Sequence, residues 1–498
     1  MFRPNGSPNV ARDGVSRRDL LQIGGAGLSG LALDRAAPFS LAANSPDLPH
    51  FGQAKACILL FLFGAPPQHE TFDPKPEAAA EVQGELKAIP TSLPGVSYCE
   101  GLPQTAQVAD RLTTIRSMTH PFPLHCSAYA LSGMPTYTTD IEGKPRDPSL
   151  WPYFGSIADY FWAQQPNTQR DMPRHVGLPW LFNSQAEDYP PLAGPYAAFL
   201  GQQHDPLWAK FEGKALHAAP KCRINQPKEF IDPYAGVDPD CRFVFEGAGR
   251  FPEQVSPDRF QFRRDLLSRI DVSRGVLEEA ANSQAYGSQQ SRALSLLTST
   301  KVREALDVSR EPATLRAQYG HTLFGQSCLA ARRLVEAGTK FVSVFWDPYG
   351  TYFGGSWDTH ENHYPRLKQY LLPGFDPAFA MLIRDLEQRN MLDETLVICM
   401  GEHGRTPQID SNPVGAARHH WSQVYSAALA GGGTQRGAVV GRSDSLGGQV
   451  ADTPISPKDI HATAFHLLGI NPHAVVHDRQ NRPYPIAGDG EVRAELLG

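Results

Sequence analysis

Gly401-Glu402-His403-Gly404 places a carboxylate beside an imidazole directly after the apolar run Leu396-Val397-Ile398-Cys399-Met400. A short apolar run that stops at polar residues is how a buried strand delivers side chains to a sheet edge. Such a pair can bind a metal, relay protons or simply pair internally. Two more clusters make the metal worth arguing: Trp357-Asp358-Thr359-His360, with His363 three residues on, and Arg418-His419-His420-Trp421. In a loop entering a helix, Thr359 could cap while Asp358 and His360 face the same way. His360 and His363 could share a helix face. Each cluster alone has a plainer reading. Asp358 could cap a helix, Glu402 could pair with Arg405, and His419-His420 could be loop residues. Together they supply two carboxylates and up to five imidazoles, and few structural roles need that concentration after strand ends. Zinc and manganese accept this mixture, whereas calcium and magnesium prefer oxygen alone.

The elements that must position these groups read as alternating strands and helices. Residues 56–64 form a buried first strand, followed by a Pro-rich loop with His69, Glu70 and Asp73. Residues 104–111 look helical and 112–117 extended. His120 and His125-Cys126-Ser127 then lead into a short helix to Leu131, ended by Ser132-Gly133. Residues 258–310 return to helical patterning after an irregular insertion at about 180–255. Residues 322–337 form an amphipathic helix closed by Gly338. Strands are expected at 341–345, 396–400 and 424–430, with helices at 379–391 and 457–468. Alternation of this kind predicts an α/β fold with a central, mostly parallel sheet and helices on both faces. Ligands in such sheets bind beyond the carboxyl ends of the strands. The clusters at 64–73, 346–363 and 401–407 all follow strands directly, so three separate segments point to one sheet edge.

The whole chain bounds the partners. It has 498 residues and a net charge of -6, which gives no broad electrostatic reason to expect nucleic acid. Ser16-Arg17-Arg18-Asp19-Leu20-Leu21 precedes the apolar run 23–33, and Ser40-Leu41-Ala42-Ala43 follows. These features, in that order, read as a Tat-type export signal over 1–43, with the Tat machinery as partner and a periplasmic or extracellular destination. An apolar run of 11 residues is too short to span a bilayer, and no other candidate span occurs. Seven cysteines show no C-x-x-C pair, which argues against a zinc knuckle. Cys222 and Cys241 are the best-placed disulfide pair for an exported chain, while Cys57 and Cys399 fall inside apolar strands.

Several motifs carry a resemblance. Phe63-Gly-Ala-Pro-Pro-x-x-Glu-Thr-Phe-Asp-Pro-Lys-Pro, Arg116-Ser-Met-Thr-His, Ala330-Ala-Arg-Arg-Leu-Val-Glu-Ala-Gly, Trp357-Asp-Thr-His, Gly401-Glu-His-Gly-Arg-Thr-Pro, His420-Trp and Asp478-Arg-x-x-Arg-Pro together resemble the DUF1501 family across about residues 54–490. That family is common in planctomycetes and often carries Tat signals. It is placed in the alkaline phosphatase-like superfamily beside the sulfatases. The resemblance implies an alkaline phosphatase-like sandwich over 50–498, with one or two divalent metals at strand ends. Glu402-His403-Gly404 matches that superfamily's Asp-His-Gly metal motif, with Glu in place of Asp. Asp358 and His360, with His363 as a third candidate, resemble the Asp/His pair for the other metal, and His420 resembles the late metal-binding His. The stretch from His125 to Gly133 resembles the sulfatase segment ending in Leu-Thr-Gly. Two departures stand out. The sulfatase Cys-x-Pro-x-Arg pattern is absent, so Cys126 has no support as a formylglycine precursor. Gly64 stands where an Asp is expected after the first strand, leaving Glu70 and Asp73 as substitutes.

The resulting expectation is an exported metal-dependent hydrolase of phosphate or sulfate esters acting on a small-molecule or glycan ester. Asp358, His360, Glu402, His403 and His420 are the expected metal ligands. His125 is placed to protonate a leaving group. Ser127, Cys126 and Thr119 are the candidate nucleophiles. Arg405 either steadies the anionic group or pairs Glu402. Two rival readings share these residues: a non-catalytic binding protein on a degenerate hydrolase scaffold, and a phosphomutase or transferase of the same fold.

Overall fold

The computed structural model describes residues 48–125, 127–135, 138, 140–165, 172–186, 191–216, 218–219, 230–231, 236–245, 299–347, 349–350, 356–412 and 415–498. The expected export signal, Cys126, Cys222 and the helical pattern at 258–298 lie outside the described residues.

Eight strands form one sheet: β1 (Ala56–Leu62), β2 (Leu112–Met118), β3 (His175–Leu178), β4 (Leu207–Trp208), β5 (Phe341–Trp346), β6 (Thr395–Met400), β7 (Tyr425–Ala430) and β8 (Ala438–Val440). Their order across the sheet is β8-β2-β7-β6-β1-β5-β3-β4. β7 runs antiparallel to both of its neighbours, and every other pairing is parallel. Seven strands therefore point one way and β7 alone is reversed. β1, β5 and β6 are buried along their whole length, which is why they read as unbroken apolar runs and not as alternating ones.

The period-two alternation of β1 feeds two cores. Ile58, Leu60 and Leu62 face one core with helices α3 (Leu323–Glu336) and α4 (Leu372–Gln388). Cys57, Leu59 and Phe61 face the other, with α2 (Phe154–Ala163) and α5 (Pro457–Leu467). The short helix α1 (Ser127–Ser132) sits on this second face. Helices thus cover both faces of a mostly parallel sheet, as the alternation implied.

Some boundaries differ from the expectation. α4 begins seven residues earlier than Phe379, after a π-turn at Leu367–Leu371. Pro373 and Pro377 disguise this half of the helix. Pro373 lies in the first turn, where a proline is tolerated, whereas Pro377 sits inside the helix and removes one N–H donor from it. Residues 104–111 divide into a helical turn at Pro103–Ala106 and a 3-10 turn at Ala109–Arg111. The described part of 180–255 consists of turns and short ribbons, except that β4 extends the main sheet at its edge. Cys241 is a buried free thiol, as are Cys57 and Cys399. No helix among the described residues is long and apolar enough to cross a membrane.

Candidate metal centre

The topology brings five chain segments to one edge of the sheet. β6, β1 and β5 are neighbours, so the segments after them (401–405, 64–70 and 356–363) emerge side by side. β2 points the same way and releases His120 and His125. Because β7 is reversed, its leading end lies at this edge, and His420 enters from there. A two-residue antiparallel ribbon pairs Arg405 with His420 and fixes that entry.

Asp358 is the hub. Its Oδ1 lies 2.9 Å from His360 Nε2 and 3.4 Å from His420 Nε2, and its Oδ2 lies 3.2 Å from His125 Nε2. His360 Nε2 and His420 Nε2 are 3.0 Å apart. A zinc ion with bonds of about 2.0–2.1 Å imposes ligand–ligand edges of about 3.3 Å in a tetrahedron, and these separations cluster around that value. The four residues each offer a donor atom to a common space. His125, Glu402 and His403 form a second such group, so His125 belongs to both.

The second group contains the buried polar atoms that best fit a cation. His403 Nδ1 donates to the carbonyl of Gly404 at 2.8 Å, which leaves Nε2 as the bare nitrogen. That nitrogen is buried and has no protein partner. Glu402 Oε1 accepts from Gly64 N–H and His125 Nδ1, each at 2.8 Å, while its buried Oε2 has no partner. An unpaired carboxylate oxygen and an unpaired imidazole nitrogen in a site with no exposure are costly unless something binds both. The donor set therefore fits a divalent cation. The backbone of Glu402 is held by His120, whose Nε2 donates to its carbonyl at 2.6 Å.

Electrostatics prepare the same groups. Burial holds His403 well below the usual imidazole range, helped by the positive surroundings of His420, His125 and Arg405. Burial also lowers His420, to about 4, and lowers His360 against the opposing pull of Asp358. All three are neutral at pH 7, so the contacts of His360 and His420 with Asp358 are hydrogen bonds and not ion pairs. Asp358 is held well below the carboxylate range because His125 and Arg405 outweigh the effect of its burial. His125 moves the other way. Burial disfavours its charge, but Asp358 and Glu402 on either side raise it to about 10. With only protein groups around it, His125 carries the positive charge that a cation would otherwise supply.

The structure corrects several sequence expectations. Arg405 does not pair with Glu402 and presents no free guanidinium to an anion. It is fully buried, binds Asp358 Oδ1 at 2.7 Å, and donates to the carbonyls of Gly64, Ala65 and Arg418. His363 faces away from the cluster. Its Nδ1 meets Thr359 Oγ1 at 2.7 Å and its Nε2 lies 3.5 Å from Glu70. Glu70 and Asp73 do not substitute for the absent Asp: Glu70 is held by Arg418 and Asp73 by Ser443 and Lys75. Ser127 begins α1, and its buried Oγ has no partner. Three positioning groups were not assigned from sequence. His120 holds Glu402, Arg366 binds the carbonyls of Ser356 and Asp358, and Arg418 ties Glu70 to the loop bearing His420.

Gly64 has a physical reason to be glycine. Its φ is +101°, and a Cβ there would lie 2.4 Å from the backbone nitrogen of Asp358 and 2.5 Å from that of Trp357. The loop carrying Asp358 occupies the space a side chain would need. Gly64→Ala should therefore displace that loop, costing about 1–3 kcal/mol as an overpacked and strained position. Urea unfolding checks the loss, and an unchanged midpoint would sink this account of the position.

The fold and site define an α/β protein with a carboxylate–imidazole cluster that could hold a cation at the carboxyl edge of its sheet. The family described as "Protein of unknown function (DUF1501)" matches residues 54–497, and the chain belongs to that family. No curated protein sequence matches it. Distant likeness extends to solved structures. The PsFucS1 sulfatase from Pseudoalteromonas sp. is 12% identical, with 97% of this chain and 77% of that one covered and a TM-score of 0.38. The phosphonate monoester hydrolase SpPMH from Silicibacter pomeroyi is 12% identical, covering 89% and 76%, with a TM-score of 0.35. The lipoteichoic acid synthase LtaP from Listeria monocytogenes is 10% identical, covering 90% and 79%, with a TM-score of 0.34.

Proposed function

We propose that this protein is an exported, metal-dependent hydrolase of phosphate or sulfate esters. The observation that carries the reading is the buried, unpartnered pair Glu402 Oε2 and His403 Nε2 beside the Asp358-His360-His420 cluster. Asp358, His360 and His420 would hold one zinc or manganese ion. Glu402 and His403 would hold a second, with His125 serving either. A bound divalent ion supplies Lewis-acid polarisation of an ester oxygen and a lowered pKa for a bound water or hydroxyl.

Charge supports an anionic substrate. Two carboxylates and the Arg405 guanidinium leave the cluster one net negative charge when its imidazoles are neutral. A single divalent ion reverses that sign and draws in an anion. Arg405 does not touch substrate in this scheme. It fixes Asp358 and the turn after β1. The free hydroxyl of Ser127, two residues beyond His125, is the side-chain nucleophile we favour. The deciding experiment measures metal content and hydrolysis of a panel of phosphate and sulfate esters. Less than stoichiometric metal, with no turnover on any ester, would remove the enzyme reading. It would favour a non-catalytic binding protein, a view already encouraged by Gly64 in place of the first-strand carboxylate. A transferase would be recognised by failure to incorporate labelled water into the product.

Metal binding should release a proton. His125 must be neutral to ligate, yet it is protonated at pH 7. Calorimetry in buffers of differing ionisation enthalpy should find about one proton released per metal bound through His125. The sign of the pH effect follows. Stability from the charged His125 is fully present below its unfolded value of about 6.5 and is lost as pH rises through about 10. Apparent metal affinity should rise over that same window. No proton release would place His125 outside the ligand set.

Export is supported by the Ser16-Arg17-Arg18 pattern and the apolar run behind it. Changing Arg17 and Arg18 to lysine should retain the full-length protein in the cytoplasm. Unaltered export would count against this route.

A further inference from the structure

The tail motif Asp478-Arg-x-x-Arg-Pro takes no part in the metal centre. With Pro148–Trp151 and Phe199 it lines a separate surface pocket of about 320 Å³. Three half-buried aromatic rings form its apolar side. Trp151 meets Tyr484 edge-to-face at 5.1 Å, and Phe199 meets Tyr484 in the same manner at 5.6 Å. Two arginines and Gln480 form the polar side. The Asp478 carboxylate is consumed within its own turn: it binds Arg482 Nε at 2.6 Å and accepts the backbone N–H groups of Gln480 and Arg482. That pair cancels in charge. Arg479 is exposed, forms no ion pair among the described residues, and is the one charged lining residue outside the Asp478–Arg482 pair; the carboxylate of Asp147, beside the lining residue Pro148, is engaged by the backbone and hydroxyl of Ser149.

Aromatic faces rimmed by planar hydrogen-bonding groups suit a sugar ring, whose C–H faces are apolar and whose edge is polar. The uncancelled guanidinium selects an anionic one, since its fork matches sulfate or phosphate oxygens. We propose that this pocket binds an anionic polysaccharide chain, with a sugar ring against Trp151 and Tyr484 and its sulfate or phosphate group on Arg479.

The position relates the pocket to the metal centre. Tyr484 donates its hydroxyl to the carbonyl of Ser132, at the far end of α1. The near end of α1 is Ser127, two residues from His125. Six helical residues rise about 9 Å along α1, a course that an oligosaccharide chain is long enough to follow. The pocket would hold the polymer while one of its ester groups reaches the centre. This coupling rests on the proposed hydrolase function, whereas the binding itself does not.

The test is titration calorimetry with a sulfated galactan oligosaccharide, its desulfated counterpart, sodium sulfate and polyglutamate. The proteins are the wild type, Trp151→Ala, Arg479→Glu and His403→Ala. The sulfated oligosaccharide should bind the wild type. The desulfated chain, free sulfate and polyglutamate should each bind at least about tenfold more weakly. Trp151→Ala and Arg479→Glu should each lose at least about tenfold in affinity, while His403→Ala should retain it. Arg479 is exposed, so Arg479→Glu keeps the test independent of any folding defect at Trp151. No binding to the wild type, equal affinity for polyglutamate, or undiminished affinity in Arg479→Glu would overturn the proposal. Binding lost only in His403→Ala would also overturn it, by assigning the sugar to the metal centre. Binding that persists in a protein hydrolysing no ester would keep the pocket and remove the hydrolase reading.

Discussion

His403→Ala should lose one metal equivalent and at least about a hundredfold of ester hydrolysis. Changes to groups that merely orient a metal ligand cost 10–100-fold in affinity or activity, and a ligand itself should cost no less. The expectation is sharp because His403 does nothing else with its bare nitrogen. Nδ1 is committed to the Gly404 carbonyl, and Nε2 has no protein partner. Removing the ring therefore takes away no partnered contact of that nitrogen. It also relieves an orphaned buried group, although it leaves a cavity. Two readings of His403 then separate cleanly. If it is a packing residue, Ala should destabilise the fold and leave metal content unchanged. If it is a ligand, metal content and turnover fall together, and the stabilisation that metal confers on the wild type shrinks. That stabilisation follows mass action, about 2.7 kcal/mol at a metal concentration 100 times Kd. Melting with and without chelator reads it directly. Activity surviving unchanged in His403→Ala would show that the site is wrongly assigned.

Arg405→Ala should be the most destabilising single change near the site. The guanidinium is fully buried and satisfies four acceptors: the carboxylate of Asp358 and the carbonyls of Gly64, Ala65 and Arg418. Truncation removes a donor from all four, while Asp358 keeps its histidine contacts. Breaking one partner of a buried ion pair costs about 3–5 kcal/mol, and each stranded carbonyl adds its own desolvation. Against a typical total stability of about 5–15 kcal/mol, such a loss leaves little folded protein. Arg405→Lys should recover only part, because one ammonium on a flexible stem cannot serve acceptors arranged around a planar fork. Chemical denaturation of the three proteins checks the ranking. A loss below about 1 kcal/mol for Arg405→Ala would mean that the buried bonds are not as described.

The strand edge was legible because burial writes itself into composition. β1, β5 and β6 are covered on both faces, so each appears as an uninterrupted apolar run that ends where the chemistry begins. Asp358, His360, Glu402 and His403 were found for that reason, and His420 by its resemblance to a late metal-binding His; the structure brings them together with His125. What stayed hidden were the partners of charged groups. Nothing local in Arg405-Thr406-Pro407 says whether the guanidinium faces an anion, Glu402 or a set of carbonyls. That choice is made by Gly64, Ala65 and Asp358, which are far away in sequence. Glu70 posed the same problem. It stands near the position of the expected carboxylate, yet Arg418, 348 residues later, turns it away. The start of α4 was hidden differently: Pro373 is permitted in its first turn, but Pro377 stands inside the helix, where a proline ordinarily signals a break. His363 shows the limit of counting residues along a helix, because the helix starts at His363 itself, after a left-handed Asn362.

The one reversed strand has a consequence for how the site comes into being. Because β7 enters the sheet from the ligand edge, His420 arrives just ahead of a strand that must insert between β2 and β6. The earliest donor, His125, was synthesised almost three hundred residues before. No fragment that stops short of His420 carries the full donor set. Such long-range pairings form late and slowly. A chain cut or stalled before residue 420 would therefore carry strands and both partial cores but no complete cage. On the proposed function, metal uptake would wait until the chain has been made through His420, so a bound ion would report that most of the sheet had been synthesised.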